Sequence, residues 1–264
     1  MADDQSDPFP SDAIPYLERI FSATSIEEVW GHHIDQMGAY GFDRLLYGFT
    51  RFKPQNSIGS PSDSLVLTNH PTAYIKEYVD GELYHHGPVM RWLAENSGPC
   101  SWKYMHERLG AADLTEGEKK LAACNQRHNV RFGYSIGFRA DKARAKGGIG
   151  LCAHESLTQD DVEDIWAKHG REILVLNNAF HLRVSTLPYT MGKPLTARQR
   201  EVLEWISDGK TVQDIAAIMG LTVATIEKHL RLARECLNVE TTAQAIIRAT
   251  YSNQIFIVPD SAAG

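Results

Sequence analysis

The stretch YHHGPVMRW, residues 84–92, sets two imidazoles beside a phenol and an indole around a Gly-Pro turn. Side chains of these types can ligate a metal, take part in catalysis or wall a pocket. Neighbouring residues on a helix or strand point to different faces, so adjacency alone does not make His85 and His86 a two-ligand clip. The cysteines, Cys100, Cys124, Cys152 and Cys236, are far apart, with no CxxC pair. They read as reduced thiols, and neither a disulfide nor a zinc site is expected. A nucleophile made from Cys100 or Cys152 with a histidine would need a catalytic order that the sequence does not offer. No catalytic residue, metal or cofactor is therefore expected.

A second group of reactive side chains lies towards the C-terminus. Ile226, Leu230, Ala233 and Leu237 recur at helical spacing, which predicts one core-facing stripe. The opposite face carries Val223, Ala224, Glu227, Lys228, Arg231 and Arg234. Arg231 has the donor fork that suits guanine, Glu227 can accept from cytosine, and Val223 and Ala224 suit thymine methyl groups. Lys210, Thr211, Lys228 and Arg234 suit phosphate contacts, and Thr222 and Thr225 join this DNA-facing set at the start of the helix. The competing reading is a plain helical bundle with a solvated charged face.

The elements that must position these residues follow from caps and periodicity. Pro194 and Thr196 start a helix through Ile206, and Asp208-Gly209 end it. Thr211 caps a short helix through Met219, with Ile215 and Ala216 turned inward. Gly220 supplies a sharp turn, and Thr222 caps the helix that carries Arg231. A short helix, a glycine-bearing turn and a second helix make a helix-turn-helix, whose second helix enters the DNA major groove.

The longer N-terminal part is mixed. Residues 13–22 and 25–39 read as amphipathic helices, the second with the Ser25 and Glu28 spacing of a capping box. FDRLLYGFTRF and LVLTN read as strands on either side of a mobile polar loop, PQNSIGSPSDS. A helical pattern covers 72–94, GPCSW is extended, and LTEGEKKLAACNQRHN is helical again. GYSIGFRA and GGIGLCAHE form a strand pair across DKARAKG, and a long helix over 160–184 places Ile165, Ile173, Leu176 and Phe180 on one face. This order predicts an antiparallel sheet with helices on both sides. VSTLPYTMGKP, with two prolines and a glycine, reads as a linker.

Composition limits the choice. At 264 residues, 43% hydrophobic and 23% charged, the chain can bury a sizeable core in one large or two unequal domains. No apolar run approaches the ~20 residues that span a bilayer, and the acidic start MADDQSDPFPSD is unlike a signal peptide, so a cytoplasmic protein without membrane contact is expected. The net charge of -6 is unevenly spread: residues 193–250 hold eight Lys/Arg against seven Asp/Glu, out of chain totals of 27 and 33. Whole-chain charge therefore does not argue against nucleic acid.

The C-terminal residues resemble the LuxR-type helix-turn-helix. Its LTxRExEVL start, following glycine, IA and TV..H appear here as LTARQREVL, Gly209, Ile215-Ala216 and TIEKHL, over about 55 residues. Gln199 stands where the family usually has glutamate and Cys236 where a basic residue is common. A response-regulator receiver, with its acidic pair, phosphoacceptor aspartate and later lysine on a parallel repeat, does not fit the remainder.

That remainder resembles the autoinducer-binding domain of LuxR-type quorum-sensing regulators. The family's pattern is an aromatic residue, a tyrosine four later, Asp-Pro nine and ten later, a tryptophan fourteen beyond the proline and a downstream glycine. It reads here as Tyr74, Tyr78, Gly87-Pro88, Trp102 and Gly133. The resemblance implies that Trp102 and a tyrosine donate to carbonyls of an N-acyl homoserine lactone, with Ser135 and Cys152 lining the pocket. It also implies an aspartate accepting the ligand amide N–H, but Gly87 occupies that position. Losing a charge-assisted hydrogen bond costs roughly 1.5–3 kcal/mol, one to two decades of affinity. Three outcomes stay open: His85 or His86 supplies the acceptor, the ligand lacks that amide, or the protein works without ligand in a filled or collapsed pocket.

The expected fold is α+β, an N-terminal α/β/α sandwich with a five-stranded antiparallel sheet (1–184), a linker (185–194) and an all-α four-helix helix-turn-helix domain (195–264). The resemblance implies a homodimer, formed by the long helix and the last helix, that reads two half-sites on double-stranded DNA.

Overall fold

A computed structural model of the chain describes residues 13–51, 64–111, 113–140, 142, 144–190 and 193–256. The loop PQNSIGSPSDS falls outside these residues except for its last serine, and part of DKARAKG falls outside as well. The chain divides into two compact units, Met1–Ser185 and Thr186–Gly264.

The first unit begins with α1 (Ile14–Ser22) and α2 (Ile26–Gly38), the latter capped by the Ser25 side chain accepting from the Glu28 amide. Next come β1 (Phe42–Thr50) and β2 (Ser64–Thr68). The predicted helix over 72–94 is instead broken into four pieces. These are α3 (Thr72–Ile75), a π turn at Lys76–Asp80, a 3-10 turn at Leu83–His86 and α4 (Pro88–Glu95). The break has local causes: Glu82 sits in the left-handed region at φ 56, and Pro88 cannot continue a preceding helix but suits the first helical position. β3 (Gly98–Ser101), α5 (Lys103–Leu109), α6 (Glu116–Arg127), β4 (Gly133–Phe138), β5 (Lys146–Ala153) and the long α7 (Gln159–Thr186) complete the unit.

The five strands pair in the order β2-β1-β5-β4-β3, every pair antiparallel. The sheet's two faces differ in side-chain size. One face carries Tyr47, Phe138 and Tyr134, which meet α7: Tyr47 packs edge-on to Phe180 at 5.1 Å, Phe138 stacks on His181 at 4.2 Å, and Tyr134 stacks on Trp166 at 3.9 Å. On the other face Gly48, Gly148 and Gly137 form one row across β1, β5 and β4, and Leu46, Gly150 and Ser135 form the next. That face looks toward α4 and α5, since a Cβ on Gly148 would meet Leu93 at 3.5 Å and one on Gly150 would meet Trp102 at 3.7 Å. Bulk on one side and glycine on the other leave room on the glycine side only.

Behind the bulky face, α1, α2 and α7 share a buried polar chain. Tyr16 Oη lies 2.7 Å from His33 Nδ1, and His33 Nε2 lies 3.1 Å from Asn177 Oδ1. Asn177 uses its Nδ2 on the Ile173 carbonyl, so its Oδ1 accepts from His33 Nε2–H and Nδ1 accepts the tyrosine proton. Burial holds this imidazole neutral, with its pKa pushed down to about 3.

The second unit holds α8 (Ala197–Ser207), α9 (Val212–Met219), α10 (Val223–Cys236) and α11 (Thr242–Tyr251). Reciprocal capping boxes open α8, α9 and α11, each cap stabilising its helix by about 1 kcal/mol. Gly220 has φ 64, a conformation that costs an L side chain roughly 1–2 kcal/mol. The stripe Ile226, Leu230, Ala233 and Leu237 is buried as predicted, against Val202, Leu203 and Ile215. The linker reading needs correction at its start. Leu187 and Tyr189 are buried, the Tyr189 amide donates to the Ser252 carbonyl at 3.0 Å, and Asn253 Nδ2 donates to the Leu187 carbonyl at 2.9 Å.

Candidate functional site

Between the glycine face and α3–α6 lies a cavity of about 180 Å³. Its aromatic wall comes from three residues spaced by four, His70 before α3, Tyr74 in it and Tyr78 in the π turn. His70 and Tyr74 lie at 4.8 Å between ring centroids, and Tyr74 stacks on Tyr78 at 5.1 Å. The Tyr74 hydroxyl donates to Asn125 Oδ1 at 3.4 Å, a long bond, and burial raises its pKa well above the phenol's usual value. Opposite, Trp102 Nε1 donates to Ser135 Oγ at 2.9 Å. The indole donor therefore already has a protein acceptor, and the Ser135 hydroxyl proton remains the donor on that side.

The roof is held by one carboxylate. Glu118 on α6 is buried, accepts from Arg108 Nη2 at 3.0 Å and Arg91 Nη2 at 2.9 Å, and closes a capping box with Thr115. Arg108 first, and then Arg91, hold its carboxyl far below the usual carboxylate range. This ties α4, α5 and α6 together above the sheet.

The predicted ligand residues separate into two groups. Tyr74, Tyr78, Gly87, Pro88, Trp102 and Ser135 line the cavity, whereas His86, Gly133 and Cys152 do not. His86 is exposed at the end of the 3-10 turn and packs on α6, where a Cβ on Gly117 would meet its Nδ1 at 2.3 Å. His85 is also exposed and lies against Tyr84 at 4.1 Å. Neither can replace the missing carboxylate from there. Gly133 has a backbone role: its carbonyl accepts the Trp102 amide at 3.0 Å, and a Cβ would meet the Leu151 carbonyl oxygen at 2.1 Å. Cys152 packs beneath Tyr74 and Trp102, fully buried, with its thiol pushed up to about 12. At Gly87 a Cβ would meet the Tyr84 carbonyl oxygen at 3.2 Å and Met90 Cγ at 3.3 Å.

Among the wall residues not anticipated from sequence are the polar His70 and Asn125. The available signal for His70 was its position four residues before Tyr74, the helical repeat already present between Tyr74 and Tyr78. Asn125 lies inside a helix of polar residues and carried no distinguishing signal.

One further cluster brings Glu77, Cys124 and His128 together, with ligand atoms within 4.8 Å of one another. Glu77 already receives Arg127 Nη2 at 2.5 Å and His128 Nε2 at 3.0 Å. Burial pushes the Cys124 thiol up to about 11, away from the thiolate that a metal needs. The arrangement is that of an ion pair. Cys100 is likewise raised to about 11 by burial, so none of the three buried thiols is an activated nucleophile.

In the second unit, Thr222, Val223, Ala224, Glu227, Lys228 and Arg231 are exposed on α10, and Lys210 and Thr211 are exposed before α9. Thr222 and Thr225 share a hydroxyl hydrogen bond of 2.9 Å that also serves the cap. Arg231 reaches Glu235 one turn on at 2.5 Å. Arg234 is half-buried and donates to Thr242 Oγ1 at 3.1 Å, fastening α10 to α11. Its guanidinium is thus held between two helices, whereas that of Arg231 is exposed and pairs within α10.

Residues 25–184 match the family described as the autoinducer binding domain, and residues 193–249 match the bacterial regulatory proteins of the luxR family. The transcriptional activator protein AnoR of Acinetobacter nosocomialis is 24% identical over 211 residues, covering 79% of this chain and 84% of that protein. The transcriptional activator protein LuxR of Aliivibrio fischeri is 24% identical over 217 residues, covering 80% of each. Among solved structures, SdiA in complex with octanoyl-rac-glycerol is 18% identical, covers 90% of this chain and 93% of that one, and superposes with a TM-score of 0.47.

Proposed function

Because the chain belongs to the LuxR family of bacterial regulators, with an autoinducer-binding domain ahead of its helix-turn-helix, we propose that it is a DNA-binding transcription regulator whose activity is set by a small lipid-like signal. The observation that carries this reading is the apolar cavity over the glycine face. An N-acyl homoserine lactone or a related amphiphile has the apolar tail that such a wall favours, and its carbonyls can accept from Ser135, Tyr74 or Tyr78. The open cavity argues against the ligand-independent alternative with a filled or collapsed pocket. The buried, protonated thiols support a regulator without enzymatic activity.

The sensor is assigned to 1–184 and the DNA-binding domain to 195–264. No helix among the described residues is long and apolar enough to cross a membrane, in keeping with a protein acting on double-stranded DNA in the cytoplasm. A two-fold homodimer on two half-sites fits the reading, since each protomer carries one recognition helix. Ligand acts by binding one state of the protein better than another.

The test is to express the full chain with a chain-length series of acyl homoserine lactones. Retained ligand in mass spectra, together with a chain-length optimum in melting temperature, supports the reading. A flat response across the series, with DNA binding intact, supports ligand independence.

A further inference from the structure

The sheet of the first unit gathers cations at one end. There the register pairs Gly147 with both Phe138 and Phe49, and Lys146 with Thr50. Arg139, Lys146 and Arg51 therefore mark the ends of β4, β5 and β1, three neighbouring strands. Strands lie about 4.8 Å apart, so this row is about 10 Å wide. The turn from β4 to β5 adds Lys142 and Arg144, and its sequence sets one carboxylate, Asp141, among these cations.

Arg51 and Lys146 are held against the fold. Arg51 Nη2 donates to the Ser185 carbonyl at 2.7 Å with its guanidinium over the Phe49 ring, and Lys146 Nζ donates to the Asn96 carbonyl at 2.7 Å. Arg139, Lys142 and Arg144 are exposed, and neither Arg139 nor Arg144 forms an ion pair among the described residues. Glu95, exposed at the end of α4, precedes Asn96 and is a carboxylate on the β3 side. Residues 1–185 hold 19 Lys/Arg against 25 Asp/Glu, so a cluster of this sign runs against the average charge of the unit.

The place of the cluster selects its partner. The Arg51 bond fixes the last turn of α7 at this end of the sheet, and Ser185 is the last residue of the first unit. From Ile173 to Arg200 the sequence contains no Asp or Glu, so the second half of α7 brings no carboxylate there. The cationic end is thus the one from which the chain continues into the helix-turn-helix unit. Once that unit is on DNA, the short connection keeps a polyanion at high effective concentration for the exposed cations.

We propose that this basic edge of the sensor unit is a second DNA contact, taking backbone phosphates of the duplex held by the helix-turn-helix. The contact rests on the DNA-binding reading and extends it from α10 to the first unit. Charges on one DNA strand follow at about 3.4 Å along the axis, so the row spans about three of them. Such contacts add affinity and fix register without reading bases.

The full chain is titrated with a long random-sequence duplex across salt concentrations, followed by fluorescence anisotropy. Arg139→Gln together with Arg144→Gln should lower the salt slope by about two and weaken binding roughly tenfold at low salt, whereas Arg139→Lys with Arg144→Lys should keep both. Lys119→Gln with Lys120→Gln, an equal change of charge on exposed residues of α6, should leave the slope unchanged. A slope unmoved by the first pair, or moved equally by the α6 pair, overturns the proposal. Lys210→Ala separates the two levels of failure. If it weakens the duplex and the first pair does not, only the sensor contact falls; if the wild type binds no duplex, the DNA-binding reading falls as well. Loss of binding to phosphatidylserine vesicles in the first pair, with the DNA slope unmoved, overturns the proposal in favour of a membrane surface. Where the first pair does not fold, acetylation of lysines in the wild type is followed by mass spectrometry with and without the duplex. Lys142 should be protected and Lys119 not, and equal modification of Lys142 in both conditions overturns the proposal.

Discussion

Trp102 Nε1 donates to Ser135 Oγ at 2.9 Å, so the indole on the cavity wall is bonded to a strand of the sheet. A ligand carbonyl at this place has to share or displace that hydroxyl. Ser135→Ala leaves the indole N–H buried without a partner and should destabilise the first unit by about 1–3 kcal/mol. Urea titration followed by fluorescence measures this. A 3-oxo-octanoyl homoserine lactone should restore part of the loss, because its carbonyl can accept the released N–H. A variant as stable as the wild type would show that the bond contributes nothing.

Two buried histidines and one half-buried histidine make stability depend on pH mostly above the range of ordinary carboxylates. His33 and His70 are held near 3 and His181 near 4, burial being the main cause in each. In the unfolded chain each takes a proton at about 6.5. Between about 6.5 and 4.5 the unfolded state therefore binds more protons than the native state, and stability falls as pH falls. Each such group contributes a slope of about 1.4 kcal/mol per pH unit. Urea midpoints at pH 7.5, 6.5 and 5.5 should decline below pH 6.5, and His33→Gln should remove about one proton from the slope. A flat profile down to pH 4.5 would mean that these rings are not held neutral in the folded protein.

The glycine rows give a third expectation. A Cβ on Gly150 meets Trp102 and Ser135 only at ordinary contact, 3.7 and 3.8 Å, so Gly150→Val should fit for less than the about 1–3 kcal/mol of an overpacked core. Its methyl groups would occupy the cavity floor. The variant should fold, bind DNA non-specifically as before, and lose the rise in melting temperature produced by acyl ligands. An unchanged ligand response would move the binding site elsewhere.

On the DNA side, Arg231→Ala should cost about 1–3 kcal/mol on specific sequence and relax base preference at one position per half-site. Lys210→Ala should weaken specific and random DNA alike and reduce the salt slope by about one. Gel-shift titrations across salt concentrations separate the two. Equal loss on both DNAs for Arg231→Ala would assign it to phosphate contact.

The sequence was most legible where local rules act alone. Thr196, Thr211 and Thr222 cap helices because their hydroxyls accept amides three residues on, and Gly220 turns because it lacks a Cβ. The spacing of strands and helices was enough for an antiparallel sheet flanked by helices, and the count of five strands came from the family resemblance. What escaped depended on contacts between distant residues. α5 is too short for periodicity to register, and the interruptions between Tyr74 and Val89 are built from π and 3-10 turns that share apolar spacing with an α-helix. His86 looked like a wall residue by its neighbours in sequence, yet the 3-10 turn directs it onto Gly117 of another helix. His70 has no local feature that announces an unpaired nitrogen, because what it lacks is set by residues distant in sequence.

The chamber in the first unit owes its width to side chains that two strands omit, at Gly48, Gly148 and Gly150, while the bulk is kept on the far side of the same strands. Its depth is thereby adjustable in small steps, Gly to Ala to Val, at Gly48 and Gly150, where an added Cβ meets nothing closer than 3.7 Å. A receptor drawn this way can change which tail length it accepts in one mutational step, with the rest of the fold as a fixed ruler.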